Sequence, residues 1–295
     1  MPARPDLAKL VRQHAETSRL FGVDFVPVFR SPNAAHEAVE PERPAAEARA
    51  AIDANRPVAS ATASRPVSAA PSAPSTPPFP MTTRKTPTDA TRAEKRRLLD
   101  EVRARYEADA PHQHFETEHT RIVFDDGDPD ARLMFIGEAP GVDEDRLGKP
   151  FVGRSGQLLD RMIEAMGLSR DRVYIANVLK TRPPGNRTPT PQEAQACAPY
   201  LYDQIRIVHP EAIVTLGRPA AQLLFDTTES MGAMRGSWRD FPPPGGGLLG
   251  SIPAGMPTIP VMPTYHPAFL LRSYTPENRK KVWSDLQKVM ERLNA

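Results

Sequence analysis

Cysteine is the scarcest residue in this chain: one thiol, Cys197, in 295 residues. That excludes an intramolecular disulfide and any all-cysteine metal cluster held within one chain. It is compatible with a reducing cytoplasm, the expected location. No apolar run approaches the roughly 20 residues that span a bilayer. The N-terminus lacks the apolar stretch of a signal peptide, so no membrane contact is expected. Charge is balanced to +2, so a site for a polyanion has to be a local patch. Glycine is almost missing from the first 90 residues, where Gly22 stands alone, whereas 14 of the 34 prolines fall there. That bias describes a flexible front and a folded back.

Three segments follow. Residues 1–30 hold a short helical stretch, "DLAKLVRQHAETSRLFG", with Leu7, Leu10, Val11 and His14 on one side and Gly22 as its stop. It reads as a helix packed on the main domain or as a docking peptide for a protein partner. Residues 31–93 are Ala-, Pro- and Ser-rich without periodicity and cannot bury enough apolar surface to offset ordering entropy. A disordered linker is expected, turning basic at and just beyond its end (Arg84, Lys85, Arg92, Lys95, Arg96, Arg97), which serves solubility or weak, salt-sensitive phosphate contact. Residues 94–295 carry globular patterning.

In that part, "RLMFIG" (132–137), "RVYIANVLK" (172–180), "EAIVTLG" (211–217) and "TIPVMPTYHP" (258–267) are apolar runs of strand length. Helical patterns alternate with them. "SGQLLDRMIEAMGL" puts Leu158, Leu159, Met162, Ile163 and Met166 on one face. Thr190, Pro191 and Glu193 spell a capping box before another helix. Val282, Trp283, Leu286, Val289 and Met290 mark a helix at the end of the chain. Strands alternating with helices imply a parallel sheet covered on both faces, with ligands bound beyond the C-terminal strand ends.

That rule selects "GEAPGVDEDRLGKPFVG", "KTRPPGNRTPT" and "HPAFLLR". Gly137, Pro140 and Gly141 let backbone approach a ligand closely. Phe151 sits in a loop between Pro150 and Gly153, either plugging the core or offering a flat face to a planar ring. Asn177 ends the second run; its amide donates and accepts at once, matching a pyrimidine edge where a carbonyl and a ring N–H lie side by side. His266 follows the last run, its backbone fixed by Pro267. Singly, each is an ordinary structural residue. An aromatic plate, an amide and an imidazole at one sheet edge look like a nucleobase pocket.

"GEAPGVDED", "GKPFVGRSG", "RPPGNRTPT" and "YHPAFLLR" stand in one order over residues 94–295, and together they resemble the iron–sulfur (family four) uracil-DNA glycosylases. The resemblance implies a three-layer α/β/α fold around a central parallel four-stranded sheet. It implies a monomeric enzyme that hydrolyses the N-glycosidic bond of a flipped-out uracil in DNA and so initiates base-excision repair. It implies that Phe151 stacks on uracil, that Asn177 reads its edge, and that the backbone near Gly137 and Ala139 faces the base. His266 would stabilise the leaving uracil anion. Glu138 would support activity, and Glu138 or Glu144 would orient the water. Asn186 and Arg187 would lie at the DNA, with Leu270 and Leu271 as a wedge into the vacated stack and Arg272 at a phosphate.

The sequence departs from that family where its cluster would sit. The family sets one cysteine immediately before "RPP", one in the following helix, and a close pair earlier. Here Thr181 precedes "RPP", Cys197 alone remains, and "YEADAPHQHFETEHT" contains none. One thiolate cannot hold a four-iron cluster; no cluster and no metal are expected. His112, His114 and His119 fit no metal-ligand spacing and read as polar loop residues, with Cys197 as a small buried apolar group. "FPPPGGGLLGSIPAGMP" (241–257) reads as a floppy insertion. The rival function is a catalytically weak DNA- or damage-binding module on the same fold. A small-molecule hydrolase lacks a G-x-S-x-G nucleophile elbow.

Overall fold

A computed structural model describes residues 91–244 and 252–294. The two expected N-terminal segments, up to position 90, and the heart of the 241–257 connection lie outside the described residues. The linker's basic end is corrected, because Arg92 and Lys95 stand in a capped helix and pair with Asp128 and Asp130. The described chain opens with helix α1 (Arg92–Asp109), capped by Thr91 in a capping box with Glu94. Six strands follow: β1 (Asp125–Gly127), β2 (Leu133–Gly137), β3 (Tyr174–Asn177), β4 (Ala212–Leu216), β5 (Arg239–Phe241) and β6 (Ile259–Thr264). Between and after them come α2 (Val142–Leu147), α3 (Arg154–Ala165), α4 (Pro191–Val208), α5 (Arg218–Phe225), α6 (Met231–Met234), α7 (Pro267–Arg272) and α8 (Pro276–Leu293). Among the described residues no helix is long and apolar enough to cross a membrane.

The strands form one sheet in the order β1-β3-β2-β4-β6-β5. Its centre is the expected parallel set: β3, β2, β4 and β6 pair in parallel. β1 and β5 are additional antiparallel edges. Neither announces itself in the sequence, because each is three residues long and "DDG" has little strand propensity.

Alternation along the strands divides the core. Met134 and Ile136 face one layer, with Leu99 and Val102 of α1, Leu201 and Ile205 of α4, and Leu224 of α5. Leu133 and Phe135 face the other, with Leu158, Leu159, Met162 and Ile163 of α3 and Val282, Leu286 and Val289 of α8. Strands buried on both sides read as continuous apolar runs, the expected signature of a covered parallel sheet. The architecture is the expected three-layer α/β/α sandwich. At α4 the Thr190 hydroxyl accepts from the Glu193 amide while Glu193 accepts from the Thr190 amide, the capping box legible in the residues.

Candidate active site

The C-terminal ends of β2, β3 and β6 bring Gly137, Asn177 and the His266 turn to one edge. After β2 the chain turns through Gly141, the N-cap of α2. Glu144, one turn into α2, folds back. One carboxylate oxygen accepts from the Gly141 amide (3.1 Å), and the other accepts from the amides of Val152 (2.9 Å) and Gly153 (2.8 Å). Three backbone N–H groups engage both oxygens, so Glu144 ties the α2 turn to the Phe151 loop.

Phe151 sits on that loop with φ 52°, a left-handed conformation unusual for a residue with a side chain. The position is held from two sides. Gly156 in the first turn of α3 packs so close that a Cβ there would fall 1.9 Å from the Phe151 carbonyl oxygen. Arg170 donates to the Phe151 carbonyl at 2.9 Å, to Pro150 O, and to the carboxylates of Asp160 (2.8 Å) and Asp126 (2.7 Å). Strained backbone of this kind persists where its surroundings over-determine it. The side chain is buried and belongs to the α3/α8 core layer.

Asn177 is 1% exposed, and its Oδ1 is buried without a hydrogen-bond partner in the protein. It converges with Phe151 on Gly137. A Cβ at Gly137 would lie 2.4 Å from Asn177 Oδ1, 2.4 Å from Phe151 Cζ and 2.6 Å from Cε2. His266 closes the third side, its ring 5.6 Å from that of Phe151 and tilted by 32°. Phe151 thus meets the amide at Gly137 and the imidazole at its ring.

His266 is also the N-cap of α7: its Nδ1 accepts from the Ala268 amide at 3.0 Å. An accepting Nδ1 leaves Nε2–H as the only proton of the neutral ring. Burial, followed by the nearby Arg272 charge, lowers the His266 pKa to about 4. The ring is thus a neutral donor through Nε2 at ordinary pH.

The other expected residues divide. Glu138 is half-buried beside the Thr188 hydroxyl; burial raises its pKa against the opposing influence of Thr188, Arg218 and Arg272. Ala139 packs against the α1/α4 core layer. Asn186 adopts φ 53° and accepts from Arg182 Nε at 2.9 Å. Arg187 is engaged bidentately by Glu193 and draws that carboxyl below its usual range. Leu270 is 2% exposed and packs in the core, whereas Leu271 is 37% exposed. "HPAFLLR" forms α7 behind its His266 cap, and helical phase turns the two leucines apart. Arg272 is exposed at its end. Sequence reasoning missed Arg170 and Gly156, whose work is done on backbone atoms; two glycines flanking α3's first turn were the available signal.

A four-iron cluster does not fit the residues present. Cys197 is the one cysteine of the chain; it is fully buried, and burial pushes its thiol up to about 11, away from the thiolate that ligates metal. Thr181, at the position before "RPP", is fully buried. Tyr106, whose hydroxyl burial lifts far above the usual range beside Cys197 and Thr181, fills this region. His112 is more than a polar loop residue: it is buried, stacks on Tyr106 at 5.5 Å and meets His119 edge-on at 4.7 Å. Among the described residues no three His, Cys, Asp or Glu side chains group as metal ligands.

The fold is an α/β/α sandwich with a central parallel sheet, and the uracil DNA glycosylase superfamily profile matches residues 124–287, more than half of the chain. The chain belongs to that superfamily. It is 42% identical over 170 residues to a type-4 uracil-DNA glycosylase of Thermotoga maritima, covering 57% of this chain and 81% of that one. Against a type-4 uracil-DNA glycosylase of Saccharolobus solfataricus identity is 45% over 175 residues, covering 58% and 75%. A type-5 uracil-DNA glycosylase of Thermus thermophilus is 35% identical over 114 residues, covering 33% and 51%.

Proposed function

We propose that this protein is a monofunctional uracil-DNA glycosylase: it hydrolyses the N-glycosidic bond of a uracil extruded from DNA, in the cytoplasm and as a monomer. The observation that carries the reading is the orphaned Asn177 Oδ1, which meets Phe151 at Gly137, with the His266 ring beside Phe151. A buried acceptor without a partner costs about 1–3 kcal/mol. Uracil relieves that cost: its N3–H donates to Oδ1 while its neighbouring carbonyl accepts from the Asn177 amide. Cytosine offers the opposite pattern at those two atoms, so the amide discriminates by leaving polar groups unpaired.

Extrusion of a base costs a few kcal/mol, and an apolar side chain filling the gap offsets it. Leu271 is the candidate wedge because it is exposed; Leu270 supports the helix from below. Arg272 next to it is the candidate phosphate contact. As the glycosidic bond lengthens, positive charge grows on the sugar and negative charge on the uracil. His266 Nε2–H is a preorganised donor for that anion, and such a donor contributes about 2.7–4 kcal/mol. A neutral ring donates without surrendering its proton. We assign water orientation to Glu138 and not Glu144, since three amides already engage the Glu144 oxygens. Burial raises the Glu138 pKa toward the range where a carboxylate accepts a proton usefully.

No iron–sulfur cluster is part of this reading, because the residues that would hold one are Thr181, a protonated Cys197 and packed aromatic side chains. Release of uracil from U·G, U·A and single-stranded oligonucleotides by full-length protein tests the function. DNA binding without release, unchanged in His266→Ala, would leave only the binding module. Purified protein is expected to be colourless and free of iron by elemental analysis; brown protein with stoichiometric iron would refute the cluster argument.

A further inference from the structure

Lys180 is fully buried, three residues beyond the base-reading Asn177. Its Nζ donates to the Asn177 carbonyl at 2.7 Å and to Gln204 Oε1 at 2.5 Å, and lies 5.1 Å from the centre of the Phe124 ring. Burial pulls the ammonium down to about 7. Neither hydrogen bond is to a carboxylate. Asp125 acts on the amine only from beyond hydrogen-bonding distance. Burying an amine without a carboxylate in contact is costly, and an apolar side chain of the same length would avoid that cost. A purely space-filling role therefore does not explain an amine here.

The amine is held by a fixed chain of contacts. Gln204 Nε2 donates to the Phe124 carbonyl (3.3 Å) and to the Tyr174 hydroxyl (3.0 Å). Tyr174 donates to Asp125 at 2.6 Å, and Arg96 pairs with Asp125 at 3.1 Å. The chain thus runs from the α1 surface through the core to one carbonyl at the end of β3. That carbonyl needs a donor, because the β1 pairing stops at Asp125 opposite Ala176. On its other side the Val178 and Leu179 amides donate to the carbonyls of Gly137 (3.0 Å) and Glu138 (3.1 Å). Lys180 completes the grip on the Asn177 peptide.

We propose that Lys180 is a positioning residue for the glycosylase reaction: it fixes the Asn177 main chain so that the Asn177 amide meets the extruded uracil at the Gly137 edge. The inference rests on the base pocket proposed above. Misplacing a reacting partner by about 1 Å costs on the order of 100-fold in rate, and the side chain itself never touches the base.

The test compares full-length wild type with Lys180→Met, Lys180→Gln and Asn177→Ala. Uracil release is measured together with affinity for an oligonucleotide carrying an abasic-site analogue. Lys180→Met is expected to lose on the order of 10–100-fold in kcat/KM, mostly in kcat, with abasic-site affinity unchanged. Lys180→Gln, which keeps a donor, is expected to recover part of the loss. Should Lys180→Met fail to fold, Gln204→Met removes one anchor of the ammonium and carries the test, with kcat falling at constant abasic-site affinity. Wild-type turnover in Lys180→Met beside an inactive Asn177→Ala would overturn the inference. So would equal losses in the Met and Gln variants, or a loss shared by abasic-site binding. Full activity in Asn177→Ala would instead overturn the base-pocket reading itself.

Discussion

Adding one methyl group at Gly137 should silence the enzyme while leaving it folded. A Cβ there would stand 2.4 Å from Asn177 Oδ1 and 2.4 Å from Phe151 Cζ, where ordinary contact begins at 3.4 Å. Each neighbour, or the strand end itself, must yield by about 1 Å, which for a reacting arrangement costs on the order of 100-fold, or about 2.7 kcal/mol of transition-state stabilisation. Gly137 is not in the left-handed region, so the substitution adds no backbone strain. Overpacking alone costs about 1–3 kcal/mol of stability, and each kcal/mol lowers Tm by about 2–4 °C in a domain of this size. Gly137→Ala is therefore expected to melt cooperatively, several degrees low, and to release uracil about 100-fold more slowly. Gly232→Ala is the control, since its Cβ would meet nothing nearer than Ser230 Oγ at 3.9 Å. Steady-state release assays with thermal melts read both. A Gly137→Ala protein within threefold of wild-type kcat/KM would refute the convergence of Asn177 and Phe151 as the basis of activity.

Two further outcomes are expected. Because the His266 pKa lies at about 4, the pH profile of kcat/KM should carry no His266 limb between pH 5 and 8; an acid limb near 6.5 that vanishes in His266→Gln would contradict the neutral-donor assignment. The folded value lies below the unfolded value of about 6.5, so the stability linked to this ring is complete above that pH and is lost as pH falls toward 4. Glu144→Ala removes a charged acceptor from three amides and should cost about 1.5–3 kcal/mol by denaturant unfolding, with faster hydrogen exchange at Val152 and Gly153. Unchanged exchange at those amides would show that Glu144 does not hold the loop.

The sheet centre and the three converging side chains were legible because their signals are of residue type and order. Four apolar runs name the parallel strands, and the rule that ligands sit at C-terminal strand ends selects Phe151, Asn177 and His266. What stayed illegible depends on backbone atoms or helical phase. Glu144 reads as a candidate to orient the water until its acceptance from Gly141, Val152 and Gly153 is seen. That Glu193 engages Arg187 is not visible in the order of residues. Leu270 and Leu271 are indistinguishable in "HPAFLLR" until α7 points one inward. β1 and β5 are too short for any periodicity to register.

On the function proposed above, His266 has two jobs in one ring: Nδ1 secures the start of α7, and Nε2–H is the donor offered to the leaving base. Asparagine or serine supplies an equally good cap but no imidazole. If that proposal holds, a single substitution at this position would keep the helix start and remove the donor, so the step from repairing a lesion to merely marking it would be one side chain.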